Sequence, residues 1–435
     1  MTPREFLRVY SYDKRMVTGG HVPSDPLTIE RGDKIGVVLL NLGGPDRLED
    51  VAPFLYNLFT DPAIIDIPVG RTLRHWLSRL IATTRAKKVG KDYEVIGGGS
   101  PINRLTREQA KALEARLNRT FAVGQDVSFH TYIAMRYWHP FTEEAAAQMQ
   151  QDGITKVVLL PLYPQYSKTT TGASFVYWWA LEQAGEIPRW PLTSVFEYAA
   201  NPKYIQAISE RIDEALQRFP HRVRDRVHLV FSAHGTPLKE MKERRDPYCC
   251  LVHSTVDRVM AYRGHDRPYH VAFQSKVGPA EWLTPSTPDQ LKTLAEEGHT
   301  AVLIVPVAFV TDHIETAFEL DVEVREEAAE FGIKHYEVTS GLNCHPLFIE
   351  ALAEAVVAQL QLPAPFEVTA GDGSPSALSY PLKPLNRLPR FPAQQRCTRC
   401  HQCERITEAR CWTPPDAAPN TPVTPPTATP QSSNT

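Results

Sequence analysis

The chain has 435 residues, enough for two or three domains. Charged residues make up 22% and leave a net charge of −3, which argues against broad nucleic-acid binding, while 42% hydrophobic residues suffice for a large core. The longest apolar stretches, such as 301–310, are too short to span a bilayer, and the N-terminus lacks a charged-then-apolar leader pattern, so a cytoplasmic protein is expected.

Residues 1–33 lack a clean period and read as an N-terminal arm. Residues 35–42 form a buried-strand pattern that stops at Gly43-Gly44-Pro45. In 64–88, Ile64, Ile65, Ile67, Leu73, Trp76, Leu77, Leu80 and Ile81 interleave with Arg71, Arg74, Arg79, Arg85, Lys87 and Lys88. That is a basic amphipathic helix, suited either to an anionic membrane surface or to its own domain. Gly97, Gly98 and Gly99 fit neither the Rossmann nor the P-loop spacing; they predict a close backbone approach to a flat or bulky ligand. Thr106 and Gln109 have capping-box spacing and predict a helix opening there and running to about residue 118. A strand over 127–135 ends at Arg136, Tyr137 and Trp138, a cation for a carboxylate beside two flat apolar faces. A helix over 141–151 and a strand over 156–161 follow, then a loop at 161–172 whose tyrosines and hydroxyls are expected to line a cleft.

The order repeats after residue 200. A helix over 204–218 precedes a strand over 227–233; a strand over 269–274, a helix over 288–297 and a strand over 301–306 follow, with a helix from about Asp312. Residues 153–161 align with 298–306, each a glycine, a buried strand and a proline. The expected fold is α/β: two similar Rossmann-like, doubly wound domains facing each other across a cleft, plus a C-terminal Cys-rich extension. The boundaries are an arm at 1–33, domains at 34–195 and 196–362, a linker and Cys-rich segment at 363–412, and a tail at 413–435. The tail is almost all Pro, Thr, Ala, Asn and Ser, a composition that predicts disorder.

Three constellations carry candidate chemistry. His234 stands where the apolar run 227–233 gives out, and ligands of open α/β sheets bind at strand carboxyl ends. Asp312, His313 and Glu315 follow the strand at 301–306. Asp312 and Glu315 also have capping-box spacing, but Glu315, Glu319, Glu323 and Glu327 form an acidic stripe beside Ile314, Phe318 and Val322. Acids on the border of a buried face, with an imidazole among them, suit a divalent cation. Cys397, Cys400, Cys403 and Cys411 are spaced as four metal ligands, for which a [2Fe–2S] cluster and a zinc site of four thiolates fit alike.

The set of segments Asn41-Leu-Gly-Gly-Pro45, Ile96-Gly-Gly-Gly-Ser-Pro-Ile102, Met135-Arg-Tyr137, Tyr163-Pro-Gln-Tyr-Ser167, Ser232-Ala-His-Gly235, Gln274-Ser-Lys-Val-Gly-Pro279 and Asp312-His-Ile-Glu315 resembles the ferrochelatases, which insert ferrous iron into a porphyrin to make haem. The resemblance runs over about 35–360. It implies two Rossmann-like halves around a porphyrin cleft, His234 and Glu315 as catalytic residues, and Asp312, His313 and Glu319 beside them on the path of the substrate iron. It places Leu42, Tyr93, Arg136, Tyr137, Trp282 and Phe309 against the macrocycle and 64–88 at its lip. His234 is expected to take the pyrrole protons while Glu315 and Glu319 pass iron from the other side, the imidazole and carboxylate coming from separate halves onto opposite ring faces. Animal members place one cluster cysteine in the loop after Tyr163; here that position is Lys168, so a [2Fe–2S] cluster is expected on the four C-terminal cysteines alone. The 163–167 loop resembles the protoporphyrin branch. The alternatives are a coproporphyrin III ferrochelatase, a non-catalytic haem or metalloporphyrin carrier and an iron–sulfur electron-transfer protein. Expected partners are porphyrin, ferrous iron and, peripherally, the inner membrane surface; both monomer and homodimer remain open.

Overall fold

The computed structural model describes residues 12–361 except 65–69, 123–125 and 277–279, together with residues 2, 5, 6 and 10. The linker, the four clustered cysteines and the tail lie outside the described residues. In chain order the strands are β1 Leu27–Thr28, β2 Lys34–Asn41, β3 Ser128–Met135, β4 Lys156–Pro161, β5 Leu192–Ser194, β6 His228–His234, β7 Tyr269–Gln274, β8 Ala301–Pro306, β9 His335–Val338 and β10 Leu360–Gln361.

They form two four-stranded sheets of one design, β3-β2-β4-β5 and β7-β6-β8-β9, parallel throughout. In each, the first strand in sequence lies between the second and third. The two first strands end level with their neighbours, Asn41 opposite Met135 and His234 opposite Gln274. Parallel strands covered on both faces must be apolar almost throughout; every residue of β8 is buried, as is all of β2 beyond Lys34. The largest apolar cluster draws Val37, Leu39 and Val158 from the first sheet and Leu229, Phe231, Leu303 and Val305 from the second, so one core spans both halves. β1 and β10 pair in parallel, Leu27 opposite Leu360, tying the start of the fold to its end.

The halves differ most between their first two strands. After β2 the chain inserts helices Val51–Thr60 and Arg71–Val95 before the crossover helix Ile102–Thr120. These inserted helices pack on each other around Phe54, Leu55, Ala82 and Tyr93, and Ile314 of the second half closes the cluster. After the third strand the halves agree again: a short π-helix, Lys168–Gly172 or Glu315–Glu323, runs into an α-helix, Ala173–Ala184 or Val324–Phe331.

Two helix starts differ from expectation. The crossover helix opens at Ile102 behind Pro101, not at Thr106, because a proline suits a first turn whose N–H has no acceptor. Thr106 and Gln109 are therefore buried inside the helix. The helix expected from Asp312 opens as the wider π turn at Glu315.

Candidate active site

β6 and β8 are adjacent in the second sheet, and each delivers one reactive group at its carboxyl end. His234 is the last residue of β6; Glu315 opens the π-helix after β8. His234 Nδ1 lies 3.0 Å from Glu315 Oε2. The imidazole side chain is 43% exposed and the carboxylate 23%, so the pair faces an opening. Burial disfavours the charged imidazole, but the Glu315 charge and hydrogen bond outweigh it and raise the His234 pKa above the ordinary value. Burial equally opposes the Glu315 anion, yet His234 and then His313 hold that carboxyl well below the usual range.

This contact corrects the expected division of labour. Both groups come from the second half, and a ring held between them would need roughly 7 Å, twice the carbon contact distance. At 3.0 Å they leave no room for a ring between them.

The surrounding groups fix this pair. Tyr248 donates its hydroxyl to the His234 carbonyl at 3.0 Å, and the Phe309 ring stands edge-on to the imidazole at 6.3 Å. His313 Nδ1–H donates to the Thr311 carbonyl at 3.1 Å, which fixes the ring with Nε2 3.8 Å from Glu315 Oε2. Glu319, one π turn on, accepts the Ser275 amide at 2.8 Å and the Ser275 hydroxyl at 2.6 Å. Burial and the Glu315 charge raise the Glu319 pKa, so this carboxyl takes a proton more readily than an ordinary one. Ser275 holds φ at +62°, a left-handed conformation costly for serine, and its amide and hydroxyl both serve Glu319. The sequence signal for Ser275 was its place in Gln274-Ser-Lys, to which no role was attached.

Other expected residues stand elsewhere. The Asp312 carboxylate accepts hydrogen bonds from Thr316, Gly341 and Asn343, so it organises the turn at 341–343. Among the described residues, no three or more His, Cys, Asp or Glu side chains converge as a metal-holding group, so Asp312, His313, Glu315, Glu319 and His234 do not form a closed iron cage. Arg136, largely covered, pairs with buried Asp61, Nη2 to Oδ2 2.7 Å, among the rings of Tyr177, Phe6 and Tyr137. Tyr137 is buried too and donates to the same carboxylate at 2.8 Å. Both are thus tied to Asp61 at the base of the lip. Leu42 and Phe309 are half-buried at the ends of β2 and β8; Tyr93 is buried in the last turn of the lip helix, its hydroxyl pKa raised by burial and then by Glu315. Trp282 packs beneath Gly235, where a Cβ would sit 3.2 Å from the indole.

Of the three glycines at 97–99, Gly99 alone closely approaches the protein's own backbone, and a Cβ on Gly97 or Gly98 would meet open space. Gly97 and Gly98 have φ of 103° and 90°, and a Cβ on Gly99 would overlap the Asp46 carbonyl. The 161–172 loop is likewise a joint between halves. Gln165 reaches Thr255 and Val307, Ser167 donates to Asp246, and Lys168 is buried beside Glu240 at 3.4 Å and the Ala63 carbonyl at 2.8 Å.

Paired parallel sheets with an imidazole–carboxylate pair at one carboxyl edge, roofed by an inserted helical lip, define a two-lobed α/β enzyme built for acid–base work on a ligand in the cleft. Residues 34–360 match the family model described as Ferrochelatase. A protein named ferrochelatase from Cyanothece sp. is 47% identical over 332 residues, covering 76% of this chain and 84% of its own. One of the same name from Gloeothece citriformis is 45% identical over 328 residues, 75% of this chain and 83% of its own. Among solved structures, SirB from Bacillus subtilis with Fe3+ is a looser likeness, with a TM-score of 0.44, 12% identity and coverage of 75% and 95%. The chain belongs to the ferrochelatase family of porphyrin metal-inserting enzymes.

Proposed function

We propose that the chain inserts Fe2+ into protoporphyrin IX to form protohaem, with His234 as the proton acceptor. The observation that carries the assignment of roles is the 3.0 Å contact of His234 Nδ1 with Glu315. Insertion displaces two pyrrole protons, so a base must face the ring. With Nδ1–H donating to Glu315, Nε2 is the lone pair left to accept, and the Glu315 charge stabilises the imidazolium that forms. Glu319, on the same π-helix with its pKa raised by burial and by the Glu315 charge, is the next acid along for that proton. His313 orients Glu315. Phe309, Leu42 and Trp282 supply apolar surface beside the ring.

The Tyr163-Pro-Gln-Tyr-Ser sequence supports protoporphyrin over coproporphyrin III. Anaerobic incubation of the purified chain with Fe2+ and either porphyrin, followed at the Soret band, tests this. Metalation of protoporphyrin IX that disappears in His234→Ala, with porphyrin binding intact, is expected. Faster metalation of coproporphyrin III would reverse the substrate assignment, and binding without metalation would make the chain a carrier.

Two further elements belong to the proposal. Cys397, Cys400, Cys403 and Cys411, outside the described residues, supply a thiolate set for a [2Fe–2S] cluster, and Lys168, held by Glu240 and Ala63, stands in the loop where another ligand would be sought. A colourless, zinc-bearing sample after anaerobic purification would overturn it. On the lip helix Leu73, Trp76 and Leu80 are 59%, 61% and 62% exposed, beside Arg79, Lys87 and Lys88. That surface supports peripheral contact with an anionic membrane from the cytoplasmic side. No helix of the described residues is long and apolar enough to cross a membrane.

A further inference from the structure

The crossover helix Ile102–Thr120 carries Asn103, Thr106 and Gln109 at spacings of three, all buried where an apolar stripe is the ordinary choice. Each is spent on a cleft loop. Asn103 donates to the Gly44 carbonyl at 2.8 Å and to Asp46 at 3.0 Å; Thr106 accepts from Asn41 at 3.1 Å. These bonds hold the exit of β2. Gln109 crosses to the other half. Its amide donates to the carbonyls of Asn343 at 3.1 Å and Val310 at 3.4 Å, and its oxygen accepts from the Thr311 hydroxyl at 3.0 Å. Thr311 then passes the constraint on, because its carbonyl fixes the His313 ring and His313 Nε2 faces Glu315.

We infer that Gln109 is a positioning residue for the metalation reaction, setting the second half's Thr311–His313–Glu315 chain from the first half. The inference rests on the reading of His234 and Glu315 given above. Gln109 satisfies both of its polar ends across the joint, a geometry that buried apolar packing would not reproduce. Losing it frees the β8 exit to shift relative to the β2 exit, and a displacement of about 1 Å at a reacting group can cost up to roughly a hundredfold in rate.

The test compares Gln109→Met, Thr311→Val and Thr311→Ser in the full chain, with His234→Ala as a control on the site itself. Gln109→Met and Thr311→Val should each lower kcat at least about tenfold with the porphyrin KM unchanged, and their double variant should lose no more than the worse single one. Thr311→Ser, which keeps the hydroxyl, should restore most of the rate. In nitrogen NMR of the imidazoles, the hydrogen-bonded Nδ1–H signal of His313 should be lost in Gln109→Met. A parental kcat and an unchanged His313 Nδ1–H signal in folded Gln109→Met or Thr311→Val would overturn the inference, whereas full activity in His234→Ala would overturn the underlying site.

Discussion

Replacing Glu315 with Gln keeps the shape of the side chain and a carbonyl to accept from His234, and removes only the charge. A hydrogen bond between charged partners contributes about 1.5–3 kcal/mol, and the 43% exposure of the imidazole places this pair toward the lower end, about 1.5 kcal/mol. At about 1.4 kcal/mol per pH unit, the His234 pKa should fall by about one unit. The sign follows from the base role. Activity that needs neutral His234 rises as pH climbs through its pKa, so the acid limb of kcat/KM should move about one unit toward lower pH. The plateau should fall about tenfold, because the imidazolium formed during proton transfer loses its counter-charge. The assay is the anaerobic initial rate of protoporphyrin metalation across mildly acidic to mildly alkaline pH, beside a direct NMR titration of the His234 ring. An acid limb that stays in place, or moves toward higher pH, would refute the argument that Glu315 acts through His234. A selective rise in the KM for Fe2+ with the limb unmoved would make Glu315 an iron ligand instead.

Asp61→Asn removes the carboxylate that Arg136, Tyr137 and the Ala63 amide share, leaving the largely covered guanidinium without its counter-charge; thermal or urea unfolding should show a loss of about 3–5 kcal/mol, and an unchanged midpoint would show that the lip base is held otherwise. Trp76→Glu places a charge in the exposed 73–76–80 face and should abolish co-sedimentation with vesicles containing anionic lipid while metalation of detergent-dispersed porphyrin continues. His228 is pushed down to about 4 by burial and by its neighbours His299 and His270, from an ordinary 6.5. The unfolded chain therefore takes up a proton that the folded chain refuses, and stability falls as pH drops from about 6.5 toward about 4; His228→Phe should flatten that decline in urea midpoints, and an equally steep decline would place the acid sensitivity elsewhere.

The buried strands were legible because a parallel strand covered on both faces is apolar over its whole length: 156–161 and 301–306 were found to the residue, and 227–233 to within one. β5 and β9, with three and four residues, are too short for such a run to register. His234 and Glu315 could be singled out because each follows a buried strand, but sequence carries no distance, and their placement on opposite ring faces was lost once the two strands proved adjacent. The ion pair of Arg136 was not legible because its buried counter-ion, Asp61, is 75 residues away in sequence. Thr106 and Gln109 were misread for the same reason. Local spacing suggested a cap, whereas their partners lie on other loops, as far away as residue 343 for Gln109.

The two halves share strand order and a π-helix in the same place, yet only one carries the acid–base pair. Where β6 ends in His234, β2 ends in Asn41, whose side chain is consumed by Thr106 and the Leu42 amide. The first π-helix holds buried Lys168, and the residue before it, Ser167, donates to Asp246 of the second half; the second π-helix bears Glu315 and Glu319. A π turn bulges the helix and re-aims the side chains on it. In the first half that bulge serves the joint, and in the second it serves the chemistry. Gln109 and Gln165 both leave the first half to hold carbonyls of the 307–310 segment, so the half without the pair supplies the frame against which the pair is set. On the proposed roles of His234 and Glu315, catalytic geometry is a property of the joint between the halves, and substitutions there should alter rate before they alter porphyrin affinity.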